Sequence, residues 1–332
     1  MRILAALVAV ALAVPVWTNQ PSGVTSRLRG VSAVTDRVAW ASGSGGTVLR
    51  TSDGGTTWNR LTIPGAEQLD FRDIDAVSED VAFVLSIGSG ESSRIYKTID
   101  AGRTWTLQFT NTDPKAFFDA MAFWDPNRGI AFSDSVDGQL VILRTTDGGK
   151  AWTRVPAAGL PPALDNEGAF AASGTNVAVM GRDRVWIGTS TSRVLRSSDG
   201  GLTWAAASTP LATGTSAGIF SIAFRDTEHG IVVGGDYRKE REAIDNAAIT
   251  NDGGRTWTAL KGLSGFRSVV TYLPGSSTVI AAGPQGADLS TDDGRNWTPL
   301  VGATGLHTFA VARRGHTGWG AGENGRISRL TY

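Results

Sequence analysis

The stretch Thr51-Ser52-Asp53-Gly54-Gly55-Thr56-Thr57-Trp58 (TSDGGTTW) is written five more times with small changes. KTIDAGRTW ends at Trp105, TTDGGKAW at Trp152, SSDGGLTW at Trp204, TNDGGRTW at Trp257 and STDDGRNW at Trp297. The intervals between these tryptophans are 47, 47, 52, 53 and 40 residues. That is the length of one four-stranded propeller blade, and such a period is read before any local motif.

Each copy holds an Asp five residues before its Trp (Asp53, Asp100, Asp147, Asp199, Asp252, Asp292) and a Gly three before it (Gly55, Gly102, Gly149, Gly201, Gly254, Gly294). This is turn chemistry: the carboxylate accepts backbone N–H groups of its own turn, and the glycine supplies a positive φ. The tryptophan then opens the next strand and buries its ring between blades. The phrase matches the Asp-box of sialidase-like propellers. Six aspartates at regular spacing suggest metal or acid catalysis at first sight, but each has a local backbone role in its own blade.

Alternating apolar segments precede each copy, VAWASGSGGTVLRT before the first and VWIGTSTSRVLRS before the fourth, and read as strands. The last segment, HTFAVARRGHTGWGAGENGRISRLTY, has three strand-like runs and no box of its own. Its fourth strand is expected from Trp17-Thr18-Asn19, since Trp-Thr or Trp-Asn resembles what stands at the box ends. The expectation is an all-β, seven-bladed β-propeller over residues 17–332, its seventh blade closed by both termini, which removes a sheet edge.

The chain has 332 residues, 31 basic and 31 acidic, and no cysteine. Balanced charge argues against a nucleic-acid partner. Met1-Arg2 followed by ILAALVAVALAV reads as a secretory signal over residues 1–16, with an uncleaved membrane anchor as the competing reading. The protein is therefore expected outside the cytoplasm, periplasmic or extracellular, and without cysteine it needs no disulfides.

Two apparent chemical signals fail. Gly320-Ala321-Gly322-Glu323-Asn324-Gly325 spells GxGxxG, but a strand pattern rather than a helix follows it. His229, His307 and His316 have no metal-type spacing and read as isolated surface or turn residues. No cofactor and no metal are expected.

In a propeller the box turns join the third and fourth strands on one face. The long connections NTDPKAFF, GLPPALDNEGAF, PLATGTSAGIF, SDSVDGQ and GGDYRKEREAIDNAA fall on the other, where function concentrates on loops held by a rigid scaffold. Leu28-Arg29-Gly30-Val31, Phe71-Arg72-Asp73-Ile74 and Phe266-Arg267-Ser268-Val269 place Arg29, Arg72 and Arg267 at one repeat position of the innermost strands. Asp119 and Phe220 hold the corresponding place in blades three and five, and Glu167 precedes the inner strand of blade four. Arginines ringing a channel mouth suit a carboxylate-bearing ligand or acidic peptide; the competing reading is that each pairs with a neighbour such as Asp73 or Asp75. Asp134, Asp137, Asp236 and Tyr237 share this face, but with Asp119 and Glu167 they lack the ligand spacing of a calcium loop.

With FRDIDAV, GIAFSD and GIFSIAFRDTEHGIVVGGDY added to the boxes, the chain resembles the photosystem II stability/assembly factor-like family. The resemblance implies a propeller that binds proteins during membrane-complex assembly through an arginine patch, onto which Arg29, Arg72 and Arg267 map. It implies a protein or peptide partner, such as a membrane-complex subunit. Blades three to five depart from the patch with Asp119, Glu167 and Phe220. The alternative is a glycoside hydrolase of sialidase-like or xyloglucanase-like type acting on carbohydrate, with Asp119, Asp134, Glu167, Asp236 and Tyr237 as candidate catalytic residues. Hydrolysis would require two carboxyl groups about 5–9 Å apart in one cleft. The oxidoreductase label carried by some relatives has no cofactor motif behind it here.

Overall fold

Seven four-stranded antiparallel sheets make up the computed structural model, which describes residues 15–332. Blade one is Leu28–Ala33, Ala39–Gly43, Thr47–Thr51 and Asn59–Leu61. Blades two to six repeat that order of strands a to d, with inner strands Asp70–Ala76, Phe118–Phe123, Val177–Met180, Ala217–Phe224 and Val269–Tyr272. Blade seven takes Leu306–Val311, Thr317–Gly322 and Ile327–Thr331 from the C-terminus and Val16–Gln20 from the other end. The expected closure is present, in register from Val16 opposite Thr331 to Gln20 opposite Ile327. The proposed leader falls mostly on residues 1–14, outside the described residues.

The repeated turn is built as its chemistry demands. In the first copy Asp53 Oδ1 accepts Thr57 N at 2.9 Å, Asp53 Oδ2 accepts Thr57 Oγ1 at 2.7 Å, and Gly55 N donates to Thr51 Oγ1 at 2.8 Å. The glycine φ lies between 79° and 87° in all six copies, a region a Cβ would penalise. Hydrogen bonds from Thr57 hold the Asp53 carboxyl down at about 2, and those from Thr104 do the same for Asp100. These aspartates are turn anchors.

The tryptophans after the turns pack against the second strand of the preceding blade: Trp105 meets buried Trp40 edge-on at 6.3 Å and 87°. Trp58 and Trp319 both donate to Gln20 Oε1 at 3.1 Å, while Gln20 Nε2 donates to Gly54 O at 2.9 Å. The closing strand is thereby stitched to the first turn as well as to its own sheet.

Inner strands of adjacent blades diverge and share no ladder, so side chains bridge them. Ser32 Oγ accepts Ala76 N at 3.0 Å, Asp73 Oδ2 accepts Met121 N at 2.7 Å, Asp75 Oδ2 accepts Phe123 N at 2.8 Å and Ser221 Oγ accepts Val270 N at 3.0 Å. Burial pushes the Asp73 carboxyl well above the usual range, reinforced by Asp75. Neither carboxylate pairs with the mouth arginines: Arg72 bonds Asp70 and Asp75 bonds Arg313.

Candidate functional site

Antiparallel order puts the start of every inner strand on the face opposite the repeated turns. At that start, five blades carry a β-bulge: the register slips between Leu28 and Gly30, Phe71 and Asp73, Phe118 and Ala120, Ile219 and Ser221, and Leu306 and Thr308. A bulge leaves one residue unpaired and re-aims its side chain. Those residues are Arg29, Arg72, Asp119, Phe220 and His307. The preceding apolar residues, Leu28, Phe71, Phe118, Ile219 and Leu306, are buried.

Blade six corrects the expectation for Arg267. A Cβ on Gly283 would strike Phe266 O and Arg267 Cα, as one on Gly43 would strike Arg27 O and Leu28 Cα. Arg267 therefore holds the place of buried Leu28, and Ser268 holds the place of Arg29. One residue of offset turns the side chain inward. Arg267 is 1% exposed, its Nε and Nη2 on Asp288 Oδ2 at 2.8 and 2.6 Å. It is a buried structural ion pair and not a receptor.

Arg29 and Arg72 do reach the mouth. With Phe170, Phe220, Tyr237, Phe266, Ser268 and His307 they line a cavity of about 330 Å³. Its floor is made by a segment the sequence did not announce. Before joining the short strand Val177–Met180, residues 171–175 cross the channel. Arg29 Nη1 donates to Ala172 O at 3.4 Å and Arg72 Nη1 to Ala171 O at 3.0 Å. Ser173 Oγ donates to Ser268 O at 2.8 Å, Thr308 Oγ1 to Ser173 O at 3.1 Å and Thr175 Oγ1 to Ser221 Oγ at 2.7 Å. At Gly174 (φ 69°) a Cβ would come within 2.3 Å of Asp73 Oδ1. The plug thus touches blades one, two, five, six and seven, and the channel mouth is a closed cup.

Burial, with the neighbouring Arg72 and Arg27 charges, lowers the Arg29 guanidinium to about 10. Its buried Nε has no hydrogen-bond partner. Arg72 is better compensated, with Nε on Asp70 Oδ2 at 2.9 Å. His307, expected at the surface or in a turn, is 8% exposed and faces Glu323 Oε1 from Nε2 at 2.7 Å. Burial and the Arg29 charge lower it to about 4, so it is neutral at pH 7 and adds no third cation.

Asp119 and Glu167, the acidic residues expected at the mouth, do not face solvent; the carboxylate that lines the cup is half-buried Glu240, whose Oε2 accepts Gln285 Nε2 at 2.7 Å. Glu167 is fully buried and clamped by Arg193, Thr189 and Thr191, with Oε2 accepting Leu164 N at 2.9 Å. Asp119 has the expected bulge position but is 1% exposed, its carboxyl set against that of Asp134 with no cation beside it. Burial, then the Asp134 charge, raises its carboxyl well above the usual range. Asp134, itself raised by burial, accepts Ala169 N at 3.3 Å and so holds the loop leading into the plug. Asp137 pairs with Lys115, and Asp236 caps its own loop by accepting Arg238 N at 2.9 Å. Among the described residues no group of three or more His, Cys, Asp or Glu side chains is arranged to hold a metal.

Sequence reading found Arg29, Arg72, Phe220 and Tyr237 and missed Phe170, Phe266, Ser268, His307 and the plug. His307 was within reach: Leu306-His307-Thr308 is the same apolar-bulge-small pattern as Leu28-Arg29-Gly30. The plug had no such signal.

No protein-family model matches this sequence, and no curated protein does. Solved structures match the fold. YCF48 bound to a D1 peptide superposes with TM-score 0.68 at 17% identity, over 98% of this chain and 99% of that one. YCF48 from Cyanidioschyzon merolae gives 0.65 at 19% identity, over 95% and 98%. The GH74 xyloglucanase from Xanthomonas campestris gives 0.65 at 17% identity, over 95% of this chain and 53% of that one. At such identities these likenesses describe the fold.

Proposed function

We propose that this propeller is a non-catalytic binding protein that captures an anionic peptide segment of a protein partner in the cup, in the manner of an assembly factor. The observation that carries the proposal is Arg29: a half-buried guanidinium beside a second arginine, with an unpartnered Nε, lining a cavity. A half-desolvated cation without an ion-pair partner carries a cost, and a carboxylate is the partner whose planar fork matches it. The fold likeness to YCF48 bound to a D1 peptide supports the reading from outside the sequence. The leader pattern of residues 1–16 supports export, with a subunit of a membrane complex as the kind of partner met there.

Carbohydrate hydrolysis is the second reading, favoured by the xyloglucanase likeness. Against it, Asp119 and Glu167 are out of solvent and cannot flank a glycosidic bond. A panel of sialosides and glucans with Asp119→Asn and Glu167→Gln controls tests it; turnover above those controls would favour it. The binding proposal is tested by capture from an envelope fraction with the wild-type chain and an Arg29→Ala/Arg72→Ala double variant. Capture lost in the double variant supports it. Equal capture removes the arginines from the account.

A further inference from the structure

The bulge position holds arginine in blades one and two, but phenylalanine in blade five. The exchange is surrounded by further aromatic rings. Half-buried Phe170 stacks face to face on Phe220, centroids 4.0 Å apart and 6° between planes. Tyr237 meets both edge-on at 6.2 and 6.1 Å, and Phe266 meets Phe220 edge-on at 4.7 Å. Tyr237 is 40% exposed. The four rings and the two arginines line one cavity. A cup so divided has a cationic side from blades one and two and, from the segments at blades four to six, an aromatic side beside which the Glu240 carboxylate is held by Gln285.

Resting on the binding function proposed above, we propose that the cup selects an aromatic side chain adjacent to a carboxylate in the partner peptide. Three observations converge on that occupant. Arg29 makes no ion pair, the nearby Glu323 and Asp70 being taken by Arg27 and Arg72, so a carboxylate on the ligand would complete it. The wall opposite offers ring faces and edges, which attract another ring beyond what area burial alone gives an aliphatic group. The floor at Ala171 and Ala172 is closed by the arginines themselves, so the occupant enters and stops. An inserted side chain with its neighbouring carboxylate meets these conditions; a strand running through the channel does not. Phe220 and Phe266, each 3% exposed, back the wall and fix its shape, while Phe170 and Tyr237 offer the contact.

The test uses the full chain and unlabelled hexapeptides, acetylated at the N-terminus, read by isothermal titration calorimetry. The parent is Gly-Ser-Phe-Asp-Ser-Gly, blocked at its C-terminus as the amide, with its Asp-Phe order reversal alongside. Controls replace Phe by Ala, or Asp by Asn. The better of the two orders should bind at least about tenfold tighter than either control. Tyr237→Ala, which removes an exposed ring, and Phe170→Ala should each shrink the Phe-to-Ala difference while keeping the Asp-to-Asn difference. Thermal melts matching wild type confirm that these variants are folded, and Tyr237→Ala stands as the test if Phe170→Ala melts early. Equal binding of the Phe and Ala peptides, with Asp still preferred over Asn, overturns the aromatic selectivity and leaves the arginine reading standing. Equal binding of the Asp and Asn peptides overturns the arginine reading. No saturable binding of any peptide up to about 1 mM, the weak limit of specific recognition, overturns both.

Discussion

The two faces of this propeller use the same residue types to opposite ends. On the face of the repeated turns, aspartates lie at the surface, hydrogen-bonded within their own turns and held at low pKa, as Asp53 and Asp100 are at about 2. At the other mouth Asp119 is buried against Asp134 and pushed up, and half-buried Arg29 is pushed down. Satisfied groups repeated six times are scaffold. Buried groups without partners also occur in the scaffold, among them the Nε1 atoms of Trp105, Trp152, Trp257 and Trp297 and the Nε atoms of Arg50, Arg196 and Arg329; what sets Arg29 apart is that it stands beside a second arginine and lines the cup.

The arginines offer the sharpest way to break that comparison. Arg267 belongs to the scaffold in spite of lying beside the mouth, so Arg267→Ala, which strands Asp288 in the interior, should destabilise by about 3–5 kcal/mol in chemical denaturation. A loss below about 1 kcal/mol would contradict the buried pair. Arg29→Ala/Arg72→Ala should do the reverse: at least tenfold weaker partner capture, about 1.4 kcal/mol, with a melting temperature within about 3 °C of wild type.

The carboxylates sharpen it further. The folded pKa of Asp119 lies above its unfolded value, so its favourable contribution is complete below about pH 4 and is lost as pH rises through the folded pKa. Asp119→Asn keeps the shape without the charge. It should raise the melting temperature by at least about 2 °C at pH 8 and by less at pH 4.5. An unchanged or lowered value at pH 8 would show that the charge is compensated. Asp53 has the opposite sign: its contribution is present above about pH 4 and lost as pH falls towards its folded value of about 2. Asp53→Asn should therefore melt slightly below wild type at pH 7 and converge with it near pH 2. Because that carboxylate is exposed and screened, this is the smallest of the expected effects.

Most of the fold was legible because the turn is written out six times, and each copy carries its own mechanism in an Asp, a positive-φ Gly and a Trp. The closure was legible because Trp17 imitates a box end. The site was legible only in part. Arg29, Arg72 and Asp119 obey a local pattern, but whether each faces solvent depends on what covers it. Asp119 lies behind Asp134 and the loop at Ala169, a contact between segments that no local period encodes. Arg267 was misread because a match of three letters does not reveal a one-residue shift against Gly283. The plug was invisible because Ala171, Ala172 and Ser173 are ordinary loop residues whose role comes from five other blades.

The measurement that bears most directly on the central claim is paired photo-crosslinking in the envelope fraction. A photoreactive phenylalanine is placed at Tyr237 on the rim of the cup and, separately, at Leu202, which is 52% exposed on a repeated turn. The account predicts a discrete partner adduct from Tyr237 that disappears in the Arg29→Ala/Arg72→Ala background, and none from Leu202. The same adduct from Leu202, or one from Tyr237 that survives loss of both arginines, would contradict it.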